Sequence, residues 1–215
     1  LVNATVENLV IDSSCSFTGY SAGALSVSVG GSLTVKNTTN NADANGRYRV
    51  GGLIGYVEGL EQGAVISFEE CVNHGVVNGS GNDIGGFVGA IYRNSQVAIA
   101  IFNSTFGGNI NGNGCTGGFV GYIGDNTNVN TTISNSINNG NVTGSEDVGG
   151  FIGFISDNTN MSITIIMSIN KQTVYGEHVY GEGGFVGYIS SNTSMMIEVR
   201  NSTNNGIVDG YGLGS

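Results

Sequence analysis

The sequence predicts a parallel β-solenoid: an all-β coil of about six turns, each of about 32 residues with three short strands. Three observations lead there. A glycine pair recurs at Gly51-Gly52, Gly85-Gly86, Gly117-Gly118, Gly149-Gly150 and Gly183-Gly184, in steps of 34, 32, 32 and 34 residues. Apolar residues alternate with small or polar ones at the same place in each unit. The composition is that of strands and tight turns, with 38 Gly, no Pro and only 6 Lys+Arg in 215 residues, so strong helix formers are scarce. A fixed period puts like on like, with equivalent strands stacked about 4.8 Å apart. A β-propeller is the alternative, but its blade takes about 40 residues and four strands.

The first strand of each unit is the phrase GGFVGYI, as at Gly183–Ile189. The second alternates with period two: Val97, Ile99 and Ile101 are separated by Ala98 and Ala100. Val129, Thr131, Ile133, then Met161, Ile163, Ile165, then Met195, Ile197, Val199 repeat the pattern, which is a strand with one polar face. The third is a short V-x-G, with Val77, Ile110, Val142, Val174 and Val208 each followed two residues on by glycine. A degenerate unit begins at Ala22-Gly23, where AGALSVS is matched to GGLIGYV, and VIDSSCSFTGYS before it reads as the tail of another. Residues 1–215 thus form a single array with units starting near 22, 51, 85, 117, 149 and 183. It begins and ends inside the pattern, so a longer parent chain is expected.

Two sets of columns carry the candidate sites. In GGFVGYI both strand faces are apolar. If the Phe-Gly-Ile face points inward, a stripe of Tyr56, Val88, Val120, Tyr122, Phe154, Val186 and Tyr188 is left outside, and an exposed apolar stripe of that length marks a partner. The competing arrangement buries it under the Asn-Thr-Asn loops or between two sheets. The other set is structural. Asn37, Asn103, Asn135 and Asn201 share one position, interrupted by Glu70 and Met167. Ser104, Ser136, Ser168 and Ser202 follow, with Cys71 in the same column. Asparagines so placed can bond amide to amide from rung to rung.

The formal net charge of −10 leaves no cationic surface for nucleic acid or anionic membranes, and no apolar run is long enough to span a bilayer. Asn-x-Ser/Thr sequons at Asn3, Asn37, Asn78, Asn103, Asn130, Asn141, Asn160, Asn192 and Asn201 are candidate N-glycosylation sites.

The phrase GG-[FL]-[VI]-G at Gly51, Gly85, Gly117, Gly149 and Gly183 resembles the GLUG repeat, over roughly residues 22–215. That family's motif occurs in tandem in secreted and cell-surface proteins, including non-catalytic regions of some bacterial IgA-cleaving metallopeptidases. The resemblance implies an extracellular repeat region and brings no catalytic residues.

Catalytic patterns are not evident. His74 and His178 lie far apart and make no His-Glu-x-x-His motif. Asp125 and Asp157 share a loop column, where paired acids bind a cation or flank a glycosidic bond, but Arg93 and Ser191 occupy the neighbouring rungs. Cys115, in the loop before a glycine pair, ranks first of the three thiols for reactivity, though it too is expected to be inert. No cofactor is expected. The reading is a non-enzymatic structural or adhesive region of a surface protein: a stalk, spacer or filament subunit. It would self-associate through the coil ends or a side face. A module recognising a host or matrix glycan or protein is the alternative, and a solenoid carbohydrate-active enzyme ranks behind it.

Overall fold

The computed structural model of the chain describes residues 1–177 and 181–210. Every regular element among them is a strand, and the strands pair in parallel between successive coils. They form a β-solenoid of about six turns with about 32 residues per turn.

One coil shows the plan. Asn130–Ser134 belongs to sheet A, Ile137–Asn138 to sheet B, Val142–Gly144 to sheet C, Asp147–Gly149 to sheet D and Ile152–Ser156 to sheet E. The three strands expected per coil are those of sheets A, C and E. Sheets B and D are two further ladders of two or three residues at the corners, too short to leave a period-two signal. Sheets A, B and C have seven strands each, sheet E six and sheet D five. The register is in phase throughout: Ala98 lies on Asn130, and Asn130 on Ser162. The degenerate first unit is in phase too, but one residue later than the sequence match. Ser26 pairs with Ile54 and Ser28 with Tyr56, which puts Gly23, not Ala22, on Gly51.

Sheet A follows its alternation. Ile99, Ile101, Ile133, Ile163 and Ile165 are buried, while Ala98 and Asn130 face out. The chain leaves sheet A through a left-handed residue at every rung: Asn8, Asn37, Glu70, Asn103, Asn135, Met167 and Asn201 have φ between 43° and 55°. Asparagine tolerates that conformation best among non-glycine residues.

The glycine phrase is the sharpest corner, where sheet D turns back onto sheet E. A Cβ on Gly118 would lie 2.1 Å from the Gly150 carbonyl oxygen, and one on Gly117 would lie 2.0 Å from that of Val120. Gly121 lies against the backbone of Asp83 and Ile84 of the previous coil. All three obstacles are backbone, which cannot swing aside, so the phrase is a steric requirement of the coil.

Beside this corner the phenylalanines stack up the axis. Ring centroids are 5.0 Å apart for Phe87–Phe119, 4.9 Å for Phe119–Phe151 and 5.2 Å for Phe151–Phe185. Phe68 meets Phe87 edge-on at 5.8 Å. Burying such a ring contributes about 1.5–3 kcal/mol, with about 0.5–1.5 kcal/mol more from each aromatic pair.

Candidate functional site

Sheet E holds the residues expected to form an outer stripe, and the structure splits them. Val88 and Val120 are completely buried in the core with Ile54 and Ile152, so they leave the stripe. Val186 is half-buried in the last coil. The cause is local. Val120 pairs with Ile152 and Tyr122 with Phe154, but Gly121 between them has no partner in the ladder. Alternation breaks there, and Val120 and Ile123, three residues apart, are both buried in the core. What remains outside is a single column: Tyr56, Tyr122 and Phe154 half-buried, then Tyr188 at 42% exposure. Ala90 interrupts the column and is itself covered.

Rings in the column lie on one another. Centroids are 5.7 Å apart for Tyr122–Phe154 and 5.6 Å for Phe154–Tyr188. Phe154 therefore has an aromatic neighbour on both sides and presents its edge outward. The Tyr122 hydroxyl lies 3.2 Å from Ser156 Oγ.

A second column runs alongside in sheet D and the residues just before it: Arg49, Asp83, Cys115, Asp147 and Gly181 occupy equivalent positions. Arg49 lies over the rings of Tyr56 and Tyr92 at this end of the column. Its guanidinium carbon is 4.3 Å from the Tyr92 ring centroid and 5.4 Å from that of Tyr56, a cation–π arrangement. Its Nε is 3.9 Å from Asp83 Oδ2. Burial pushes the Asp83 carboxyl up to about 6, and Arg49 opposes the shift. Asp147 is only 7% exposed and is likewise pushed up to about 6, by burial first and then by Glu146. Its Oδ2 is 3.8 Å from Cys115 Sγ, and its Oδ1 has no hydrogen-bond partner among the described residues.

Cys115 is inert as expected, but the ranking of the thiols is corrected. It is buried, and burial together with Asp83, Asp147 and Glu146 raises its thiol far above the ordinary range, so it stays protonated and unreactive. Cys15 is the exposed thiol. Cys71 takes its predicted place in the serine column, accepting no role beyond stacking: its Sγ is 3.4 Å from the Val35 carbonyl oxygen, and Ser104 Oγ accepts its backbone N–H.

The serine ladder is as expected. Each hydroxyl accepts the N–H of the previous rung's serine and donates to a carbonyl two residues before it, through Ser104, Ser136, Ser168 and Ser202. The asparagine ladder is not where it was expected. Asn37, Asn103, Asn135 and Asn201 are exposed, because the left-handed backbone turns them to solvent, and only Asn37 bonds another amide, that of Asn8. The ladders lie elsewhere. Asn94, Asn126, Asn158 and Asn192 form one inside the turn between sheets E and A. Asn40–Asn73 and Asn138–Asn170–Asn204 form others at sheet B, and Asn45–Asn78–Asn111 one on the outer side of sheet C. The signal for the first was present in the repeated Asn-Thr-Asn words, which read equally well as solvated turns.

Asp125 and Asp157 sit one rung apart in exposed left-handed turn positions shared with Arg93 and Ser191. Among the described residues no three His, Cys, Asp or Glu side chains gather as a cation site. Of the nine sequons, Asn192 is tied down: its Nδ2 donates to the carbonyls of Ile155 and Ser190 at 3.2 and 2.6 Å. Asn78 donates to Asn45 at 2.9 Å and Asn160 to Asn128 at 2.5 Å. Asn3, Asn103, Asn130, Asn141 and Asn201 are exposed, with no hydrogen bond from their amide nitrogens among the described residues.

Comparison of the chain with protein-family profiles, with curated proteins and with solved structures returns no match.

Proposed function

We propose that this chain is a non-enzymatic structural or adhesive repeat region of an extracellular or surface protein. One observation carries the reading: two of its repeated polar columns are spent on the rung above and below. The Asn94–Asn126–Asn158–Asn192 ladder and the Ser104–Ser136–Ser168–Ser202 ladder satisfy backbone and amide groups of neighbouring coils. The GLUG-like phrase supports a surface location.

Rung spacing limits what such a region can do alone. Six spacings of about 4.8 Å give a length of only about 30 Å. A stalk or filament therefore needs further coils, from a longer chain or from stacked copies. In the last described coil Ile189, Val199 and Val208 are 46%, 43% and 39% exposed, while Ile155, Ile165 and Val174 below them are 0% exposed. A coil in the same register would cover those columns and pair the open strand edges.

Negative-stain electron microscopy and sedimentation across a concentration series test this. Rods that lengthen with concentration in steps of about 30 Å are expected from end-to-end stacking. Single particles of that height at every concentration would overturn the stacking and leave the side faces as the working surface.

A further inference from the structure

We propose that Asn113-Gly114, at the corner between sheets C and D, is a spontaneous modification site at which the Gly114 backbone nitrogen displaces ammonia from the Asn113 side chain. Six Asn-Gly pairs occur in the chain, at Asn45, Asn78, Asn111, Asn113, Asn139 and Asn205. Such a pair closes a five-membered ring most readily, because glycine has no Cβ to hinder its own nitrogen. The local sequence is the same six times, so the fold decides which copies can react.

Most of the pairs are held. On the outer side of sheet C, Asn78 Nδ2 donates to Asn45 Oδ1 and Asn111 Nδ2 to Asn78 Oδ1, both at 2.9 Å. The glycines after them are committed as well: Gly46 pairs with Gly79 in the ladder, and the Gly112 N–H donates to the Thr143 carbonyl at 2.8 Å. After Asn139, the Gly140 N–H donates to Asn138 Oδ1 at 3.1 Å. A nitrogen bonded in this way turns onto the preceding side chain only after local opening. Gly114 differs, for its N–H has no acceptor among the described residues. Asn113 is exposed and stands in one column between Ser80 and Ser145 of the neighbouring coils. The Ser145 hydroxyl donates to Asn113 Oδ1 at 2.7 Å, and Asn113 Nδ2 donates to the Ser80 carbonyl at 3.3 Å. A hydroxyl on that oxygen draws electrons from Cγ and stabilises the negative charge that builds on Oδ1 as the nitrogen attacks. Asn205 is exposed but has no such donor among the described residues.

The step balances with water as the only co-reactant. The bond from Gly114 N to Asn113 Cγ forms, the Cγ–Nδ2 bond breaks, and the Gly114 amide proton leaves with Nδ2 as ammonia. Water then opens the succinimide at either carbonyl, to aspartate or isoaspartate. Either product places a carboxylate beside the Ser145 hydroxyl, and isoaspartate lengthens the main chain by a methylene just before sheet D.

The proposal does not rest on end-to-end stacking. Incubation of the native protein in mildly alkaline buffer, followed by peptide mapping with mass spectrometry, compares all the pairs in one sample. In the folded protein Asn113 should convert about fivefold or more faster than Asn111 and Asn139, and in urea the pairs should converge to within about threefold, since only local sequence then acts. Ser145→Ala should slow Asn113 about fivefold in the folded protein and change Asn139 by less than about twofold. Conversion of Asn113 no faster than that of Asn111 or Asn139 in the native parent chain would overturn the proposal, whatever the variant does. So would a lead of Asn113 that persists in urea. An unchanged or faster rate at Asn113 in folded Ser145→Ala would also overturn it, by making the Ser145 hydrogen bond a restraint and not an activator.

Discussion

Asn126→Ala should cost this fold far more than any change at Asn135, although both asparagines recur in register. Asn126 is buried, and its side chain makes four hydrogen bonds. Its Oδ1 accepts from Asn94 N at 3.0 Å and Asn94 Nδ2 at 3.1 Å. Its Nδ2 donates to the Ile91 carbonyl and to Asn158 Oδ1, both at 3.0 Å. Truncation leaves the Asn94 N–H without that acceptor in a dry turn. Net losses of about 1 kcal/mol per hydrogen bond, some offset by relaxation, plus about 1–3 kcal/mol for the orphaned donor, give roughly 4 kcal/mol. Asn135 has φ 49° and an exposed side chain, so Asn135→Gly keeps what the position needs and should change stability by less than about 0.5 kcal/mol. Urea unfolding followed by circular dichroism reads both. A loss below about 1 kcal/mol for Asn126→Ala, or an equal loss for Asn135→Gly, would refute the assignment of the ladder.

Acid should stabilise the coil. Asp83 and Asp147 ionise at about 6 when folded against 3.8 for an ordinary aspartate, so the fold prefers their protonated forms. Their contribution is complete below 3.8 and is lost as pH rises through about 6, up to about 3 kcal/mol each. Melting temperatures should fall between about pH 4 and 6.5, less steeply in Asp83→Asn/Asp147→Asn; a flat profile in the parent chain over that range would count against their burial. Gly118→Ala, which drives a Cβ into the Gly150 carbonyl, should abolish folding or lower stability by several kcal/mol, whereas Gly30→Ala, with Val2 at 3.8 Å, should be tolerated. A thiol reagent should modify Cys15 alone in the native protein, and Cys71 and Cys115 only after unfolding; fast labelling of Cys115 would contradict its environment. If the chain is secreted from a glycosylating host, mass spectrometry of the folded protein should find glycan at Asn103, Asn130, Asn141 or Asn201 and none at Asn192, whose amide nitrogen is bonded twice.

The repeated words determined the coil, its period and its sheet A. Val97, Ile99 and Ile101 alternate because only one face of that strand can reach the core, so periodicity and burial coincide. The serine column was legible for a similar reason: a hydroxyl small enough to stack recurs wherever the next rung's N–H needs an acceptor. What the sequence alone did not decide were questions of direction. Asn135 and Asn126 are the same residue type in equally regular columns, yet a left-handed φ turns one to solvent while the turn between sheets E and A encloses the other. Val120 follows the same alternation as Tyr122, but Gly121 packs on the backbone of Asp83 and Ile84 instead of pairing in its ladder, and this sends Val120 into the core and leaves Tyr122 at the surface. Cys115 sits in what reads as an open loop, and sheet D closes over it. Repetition specifies which residues stack, because each column must fit its own copy. Which way a column faces depends on how two sheets meet at a corner, and that is decided only when the coil closes.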